Sequence, residues 1–202
     1  MQPFTRISGS AAPLLAANID TDVIMPKQFL KGIDRQGLDR GLFFDLRFVP
    51  SGEPNPDFIL NQPAWSDAAF LVVGANFGCG SSREHAVWGL KQMGIRALIG
   101  TSFAGIFYDN CQRNGVLAIQ LTGVQLKRVA EVISVAATAR ISVDLPAQTI
   151  ELADGSVIPF EIDQLRKQAL LSGLDAIGTT LQRAEQIRAF ESRHLAANPW
   201  LA

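Results

Sequence analysis

From Phe70 onward, short apolar runs alternate with helical patterns, and Gly or Asn-Gly separates them, which restricts the fold more than any other feature of the sequence. Phe70-Leu-Val-Val-Gly74 is too short for a core helix and lacks polar alternation, so it reads as a buried strand. A Gly-rich turn leads into a helical pattern over about 82–93, stopped by Gly94. Ile95 to Ile99 reads as the next strand, Thr101 to Arg113 as a helical or mixed segment ended by Asn114-Gly115, and Val116 to Leu121 as a third strand. After Thr122, Leu126, Val129, Ala130 and Ile133 recur at helical spacing. Asp154-Gly155, with the β-rich stretches Arg140 to Leu145 and Thr149 to Leu152 before it and Val157 to Ile162 after it, predicts a hairpin. Asp163 is placed to cap a helix that Gly173 ends, and a last helix is expected over about 182–195. Strands interleaved with helices predict an α/β fold.

With 202 residues, 48% of them hydrophobic, the chain can bury a core of its own and is expected to form one domain spanning 1–202, with a helical tail over 163–202. Residues 18–67 are dense in Gly and Pro and should be largely loop. Within them Leu42, Phe43, Phe44, Leu46 and Phe48 form an apolar cluster, read either as core beneath the loop or as a substrate or partner surface. Eighteen basic residues against 19 acidic ones, with no dense Lys/Arg block, argue against a nucleic-acid surface. The first 15 residues have no unbroken apolar stretch, and no run of 18 apolar residues occurs, so neither a secretory signal nor a membrane anchor is expected. Two cysteines, Cys79 and Cys111, read as free thiols of a reducing compartment, which points to the cytoplasm.

The stretch Asn76-Phe-Gly-Cys-Gly-Ser-Ser-Arg-Glu-His85 joins strand to helix. Gly78 and Gly80 permit a tight turn with close approach of backbone to a bound group. Ser81 and Glu84 are spaced as a capping box, which puts Ser81 at the N-cap and Arg83 in the first helical turn. Free N–H groups with the Arg83 fork then suit an anion. Spacing alone leaves three readings open: a carboxylate site, a phosphate site, or a purely structural cap. The P-loop pattern is missing, and the stretch departs from G-x-G-x-x-G at Arg83. No G-x-S-x-G elbow surrounds Ser81, which argues against a hydrolase nucleophile. Cys79 reads as a small residue of a tight turn, with a reactive thiol as the sharper alternative. His85 reads as a helix residue bonded to a nearby carbonyl or carboxylate. Two cysteines 32 positions apart fall short of the three or four thiolates of an iron–sulfur cluster, so no metal site is expected on this chain.

Asn76 to Ala86 closely resembles the signature of the aconitase-family swivel domain. Asn18-Ile-Asp-Thr-Asp22, Ile24 to Leu30, Pro54 to Phe58, Ser102 to Tyr108 and Leu174 to Gln182 are similar to segments of the bacterial small-subunit family of 3-isopropylmalate dehydratase. The resemblance covers nearly the whole chain. It implies a swivelling three-layer β/β/α domain, which the element order above fits without establishing. It further implies a hydro-lyase working as an isomerase: 2-isopropylmalate loses water to 2-isopropylmaleate and regains it as 3-isopropylmalate, in leucine biosynthesis. Activity would need a large subunit bearing a [4Fe–4S] cluster, in a heterodimer or larger complex. By the same resemblance Ser81 is the catalytic base, Arg83 binds a substrate carboxylate, Ser82 and Gly80 donate beside it, and Asp22 orients Arg83 or the serine. Phe29 and Leu30, with the cluster from Leu42 to Phe48, would meet the alkyl group. Related activities on methylmalate, dimethylmalate or homoaconitate, and a non-catalytic carboxylate-binding module, are the alternatives. Met25, Val87 and Leu46 stand where the family pattern usually has other residues, away from Ser81 and Arg83.

Overall fold

Seven strands form one mixed sheet that changes character at a strand absent from the sequence-based expectation. The structure, a computed structural model, describes residues 1–30, 35–80 and 83–201. Its elements are β1 (Arg6–Leu14), α1 (Thr21–Ile24), α2 (Phe44–Arg47), β2 (Phe70–Val73), α3 (Glu84–Gln92), β3 (Ala97–Gly100), α4 (Gly105–Asn114), β4 (Leu117–Gln120), α5 (Gly123–Ile133), β5 (Arg140–Asp144), β6 (Thr149–Glu151), β7 (Val157–Pro159), α6 (Gln164–Ser172), α7 (Ala176–Leu181) and α8 (Ala184–Ala197), with short 3-10 turns between some of them. The strand order is β4-β3-β2-β1-β5-β6-β7. β1 is the pivot. Its first half, Arg6 to Ser10, pairs antiparallel with β5, and its second half, Ala11 to Leu14, pairs parallel with β2. Pro13 costs no ladder bond there. The Ala11 N–H points toward the β5 side, where it meets the Ala139 carbonyl, and position 13 faces that same side beyond the end of β5.

Neighbouring side chains on the short parallel strands enter opposite cores, as strand alternation requires. Leu71 and Val73 of β2 join Ala86, Val87 and Leu90 of α3 and Phe107 of α4 on one face. Phe70 and Val72 face the other way and join Val129 and Ile133 of α5 together with Ile141, Val143, Ile150 and Ile158 of the antiparallel ladder. Helices, parallel ladder and antiparallel ladder thus stack as α, β and β layers, as the resemblance implied. Each fully buried Leu, Ile or Phe contributes about 1.5–3 kcal/mol, so the two cores account for a strand set this short.

The end signals match their residues. Thr122 and Gln125 form a reciprocal capping box on α5. Asp163 accepts from Arg166 N at 3.1 Å to cap α6, and Gly173 ends that helix in the left-handed conformation. The hairpin turns at Asp154-Gly155 between β6 and β7. Among its described residues, segment 18–67 holds only α1, α2 and 3-10 turns as regular elements, yet Ile19, Ile24, Met25, Leu42, Phe43, Phe58, Leu60 and Trp65 are all core. Of the two readings of its apolar cluster, Leu42 and Phe43 take the core one.

Candidate active site

Because β1 and β2 run parallel and stop in register at Leu14 and Val73, the segments leaving them start at the same edge of the sheet. That edge is where parallel α/β sheets gather ligand-binding loops. The segments are laced together. Asn18 N donates to Ala75 O at 2.9 Å, Asn76 Nδ2 to Asn18 Oδ1 at 2.8 Å, Gly78 N to Ile19 O at 2.8 Å and Thr21 N to Cys79 O at 2.9 Å. Asn18 and Asn76 both have positive φ, which asparagine tolerates better than most residues. On the other side Asn76 N donates to Ser102 Oγ at 2.8 Å and Ala104 N to Phe77 O at 3.0 Å, tying in the loop after β3. The Gly-rich strand end is therefore clamped between two loops. Gly78 and Gly80 have φ of 77° and 87°, and the Phe107 ring occupies the place of a side chain at 78.

This clamp brings Asp22 to Arg83. Asp20 caps α1 by accepting from Val23 N at 2.8 Å, which leaves Asp22 free in the first turn. Asp22 Oδ1 accepts a short hydrogen bond from Arg83 Nη1. The Arg83 side chain is 18% exposed and that of Asp22 42%. Among the described residues Asp22 is the one hydrogen-bond partner of that guanidinium, whose planar fork of five donors is suited to more than one anion.

Helix α3 starts later than the capping-box spacing predicts. Arg83 itself is the N-cap, with extended backbone at φ −85° and ψ 126°, and the first helical residue is Glu84. Extended backbone at 83 lets the guanidinium turn back toward α1. Glu84 is used elsewhere: its carboxylate accepts from Asn114 Nδ2 at 2.8 Å, and Asn114 Oδ1 takes the Trp88 indole N–H at 3.0 Å, which pins α3 to α4. Ser81 and Ser82 lie outside the described residues. Gly80 is described and exposed, beside Asp20 and Thr21.

Three further expectations resolve differently. His85 bonds no carbonyl or carboxylate among the described residues; its ring lies 4.7 Å from that of Trp88, over which the Arg35 guanidinium also lies at 4.2 Å. Cys79 is half-buried in the turn with Sγ 3.5 Å from Asn18 O, while Cys111 is fully buried in α4, where burial pushes its thiol pKa up. Phe29 and Leu30 are half-buried in a 3-10 turn, and the Phe29 ring packs on Phe44 at 5.0 Å, with Phe44 in turn 5.0 Å from Phe48. Thr21, which no motif singled out, is fully buried against the Gly-rich turn.

A family model of the aconitase C-terminal domain matches residues 1–123. Fold and site together therefore define an aconitase-type swivel domain. A model of the C-terminal domain of the 3-isopropylmalate dehydratase small subunit matches 177–202, and one described as LeuD_N matches 131–164. The chain is 62% identical to 3-isopropylmalate dehydratase small subunit 1 of Mannheimia succiniciproducens, over 100% of this chain and 99% of that one. It is 58% identical to small subunit 2 of Salmonella typhimurium, over 100% and 96%. A crystal structure of 3-isopropylmalate dehydratase from Methanocaldococcus jannaschii superimposes with a TM-score of 0.66 at 26% identity, covering 92% of this chain and 99% of that one. The chain belongs to the family of 3-isopropylmalate dehydratase small subunits.

Proposed function

We propose that this chain supplies the anion-binding and proton-transfer half of a 3-isopropylmalate dehydratase site, and that a large subunit supplies the other half. The activity is that of a hydro-lyase in leucine biosynthesis, interconverting 2-isopropylmalate and 3-isopropylmalate through 2-isopropylmaleate. The observation that carries the site reading is the Asp22–Arg83 pair, which ties α1 to the N-cap of α3 through a largely buried guanidinium.

In this reading Arg83 takes a substrate carboxylate through its donor fork, and Asp22 fixes the plane of the guanidinium. Gly80 and Ser82 donate beside it. Ser81, as an alkoxide, removes the proton α to a carboxylate and becomes the neutral hydroxyl, while the neighbouring carbon expels hydroxide. The serine hydroxyl returns its proton to one carbon as hydroxide adds to the other, which restores the alkoxide. A serine hydroxyl ordinarily loses its proton far above neutral pH, so its anion needs nearby N–H donors and the Arg83 charge. Phe29 and Leu30 face the alkyl group, a role supported by their packing against the apolar core and by the contact of the Phe29 ring with Phe44.

Among the described residues no three His, Cys, Asp or Glu side chains gather as a metal site, and the two free cysteines sit on separate segments. These residues do not fit an iron–sulfur cluster. We assign the [4Fe–4S] cluster to the large subunit and the complex to a heterodimer or larger. The chain is read as one domain, supported by the pairing of β1 with both ladders. No helix among the described residues is long and apolar enough to cross a membrane, and two free thiols support a cytoplasmic location.

The test is turnover by this chain co-purified anaerobically with its large subunit, following ultraviolet absorbance of the unsaturated diacid as 3-isopropylmalate is consumed. The pair should be active and each subunit alone inactive. Turnover of methylmalate or dimethylmalate alone would move the alkyl assignment, and binding without turnover of any malate would reduce the chain to a carboxylate-binding module.

A further inference from the structure

Thr21 is fully buried, and among the described residues its Oγ1 has no hydrogen-bond partner. A buried hydroxyl without a partner is unfavourable, whereas a valine of nearly the same shape would fill the space with no such penalty. The hydroxyl also has a definite direction. The Thr21 N–H holds Cys79 O at 2.9 Å, and Oγ1 stands 3.5 Å from the point a side chain at Gly80 would occupy. Gly80 has no such side chain, so the hydroxyl faces the open side of the Gly80 backbone. The next residue along, Asp22, is the one that holds Arg83. Two adjacent residues of α1 thus address the same turn, one through a charge and the other through a neutral, freely rotating O–H donor.

We infer that Thr21 is a further oxyanion-binding residue of this site: its hydroxyl donates a hydrogen bond to the anionic oxygen that the Gly80–Arg83 turn gathers during the reaction. The inference rests on the anion-site reading above. That oxygen is either the chain's own deprotonated base or a carboxylate of the substrate, and the two are separable by kinetics. A donor to the base holds its pKa down, so removing it lowers kcat and moves the acidic limb of the pH profile to higher pH with little change in KM. A donor to the substrate carboxylate acts on binding, so removing it raises KM.

The experiment compares Thr21→Val and Thr21→Ser in the reconstituted two-subunit enzyme. Thr21→Val should lower kcat/KM by about 100-fold, the scale of one oxyanion donor, with a melting temperature equal to or above the parent's. Thr21→Ser should recover most of that loss. Unchanged kcat/KM in Thr21→Val would overturn the inference, and so would equal losses in both variants with a lowered melting temperature, which mark a packing role. Calorimetric titration with 2-isopropylmaleate separates this inference from the catalytic reading beneath it. If the parent complex binds the diacid but turns nothing over, the catalytic reading fails, and Thr21 stands or falls on whether the valine variant binds more weakly. A parent complex that neither binds nor turns over removes both.

Discussion

Segment 18–67 and the tail from 176 to 201 invert the usual association of regular structure with burial. The first is irregular and embedded: apart from two four-residue helices its described residues form turns and irregular backbone, yet Ile24, Met25, Leu42 and Phe43 are completely buried. The second is almost all helix, yet α7 and α8 contain no buried residue, and Phe190 is 60% and Trp200 76% exposed. The embedded segment can be irregular because side chains satisfy its backbone. Arg47 Nη1 donates to Asp39 O at 2.7 Å, Asn55 Nδ2 to Leu46 O at 3.0 Å and Asn61 Nδ2 to Arg47 O at 2.6 Å. Buried carbonyls need partners of some kind, and here asparagine and arginine take the place of a ladder. The tail shows the converse: α7 starts on the Asp175 cap and α8 without a side-chain cap, and neither helix adds a buried residue to the core. Function follows burial. The segment that carries Asp20, Thr21 and Asp22 is the one locked into the core.

The largest effect should come from Phe43→Ala. Phe43 is fully buried, packs on Phe58 at a ring distance of 5.9 Å, and donates its N–H to Ile24 O at 2.8 Å. Its truncation should cost about 3–5 kcal/mol in a denaturant melt. A cost below about 1 kcal/mol would show that 18–67 is not part of the core. Next is Gly78→Ala, which puts a methyl group into the Phe107 ring at a positive φ. Loss of stability should be about 2–4 kcal/mol from overpacking and strain together, with turnover of the complex reduced because the clamp on Asp22 loosens. Smallest is Phe190→Ala in the isolated chain, expected within about 0.5 kcal/mol of the parent; a loss comparable to that of Phe43→Ala would erase the contrast between the two regions.

Much of this is legible in the sequence wherever one residue type decides the local geometry. Asp163 with Gly173, Thr122 with Gln125, and Asp154-Gly155 each mark their turn or helix end because cap and turn chemistry is local. The motif from Asn76 to His85 falls between strand and helix for the same reason. β1 is not legible. RISGSAAPL contains glycine, proline and small residues that are depleted in strands, and only pairing on both sides holds it extended. The start of α3 lies two residues or more beyond its expected place because the Ser81–Glu84 spacing fits a capping box, whereas the tertiary partners of Arg83 and Glu84 override that local preference. The burial of 18–67 is also hidden, since glycine and proline density reports backbone irregularity and not position. Thr21 lies in a family-like segment that assigns it no role; its burial and its unpartnered hydroxyl among the described residues single it out.

The central claim is that the embedded segment and the Gly-rich turn form one site through Asp22 and Arg83. A double-mutant cycle of Asp22→Asn and Arg83→Lys on kcat/KM of the reconstituted two-subunit enzyme tests it most directly. Each single change should lower kcat/KM by about 10–100-fold, since lysine cannot reproduce the guanidinium fork and the amide cannot hold it. The double variant should be hardly worse than the poorer single one, because either change already breaks the pair. Losses that multiply would mean that Asp22 and Arg83 act independently, and would contradict a site built by their contact.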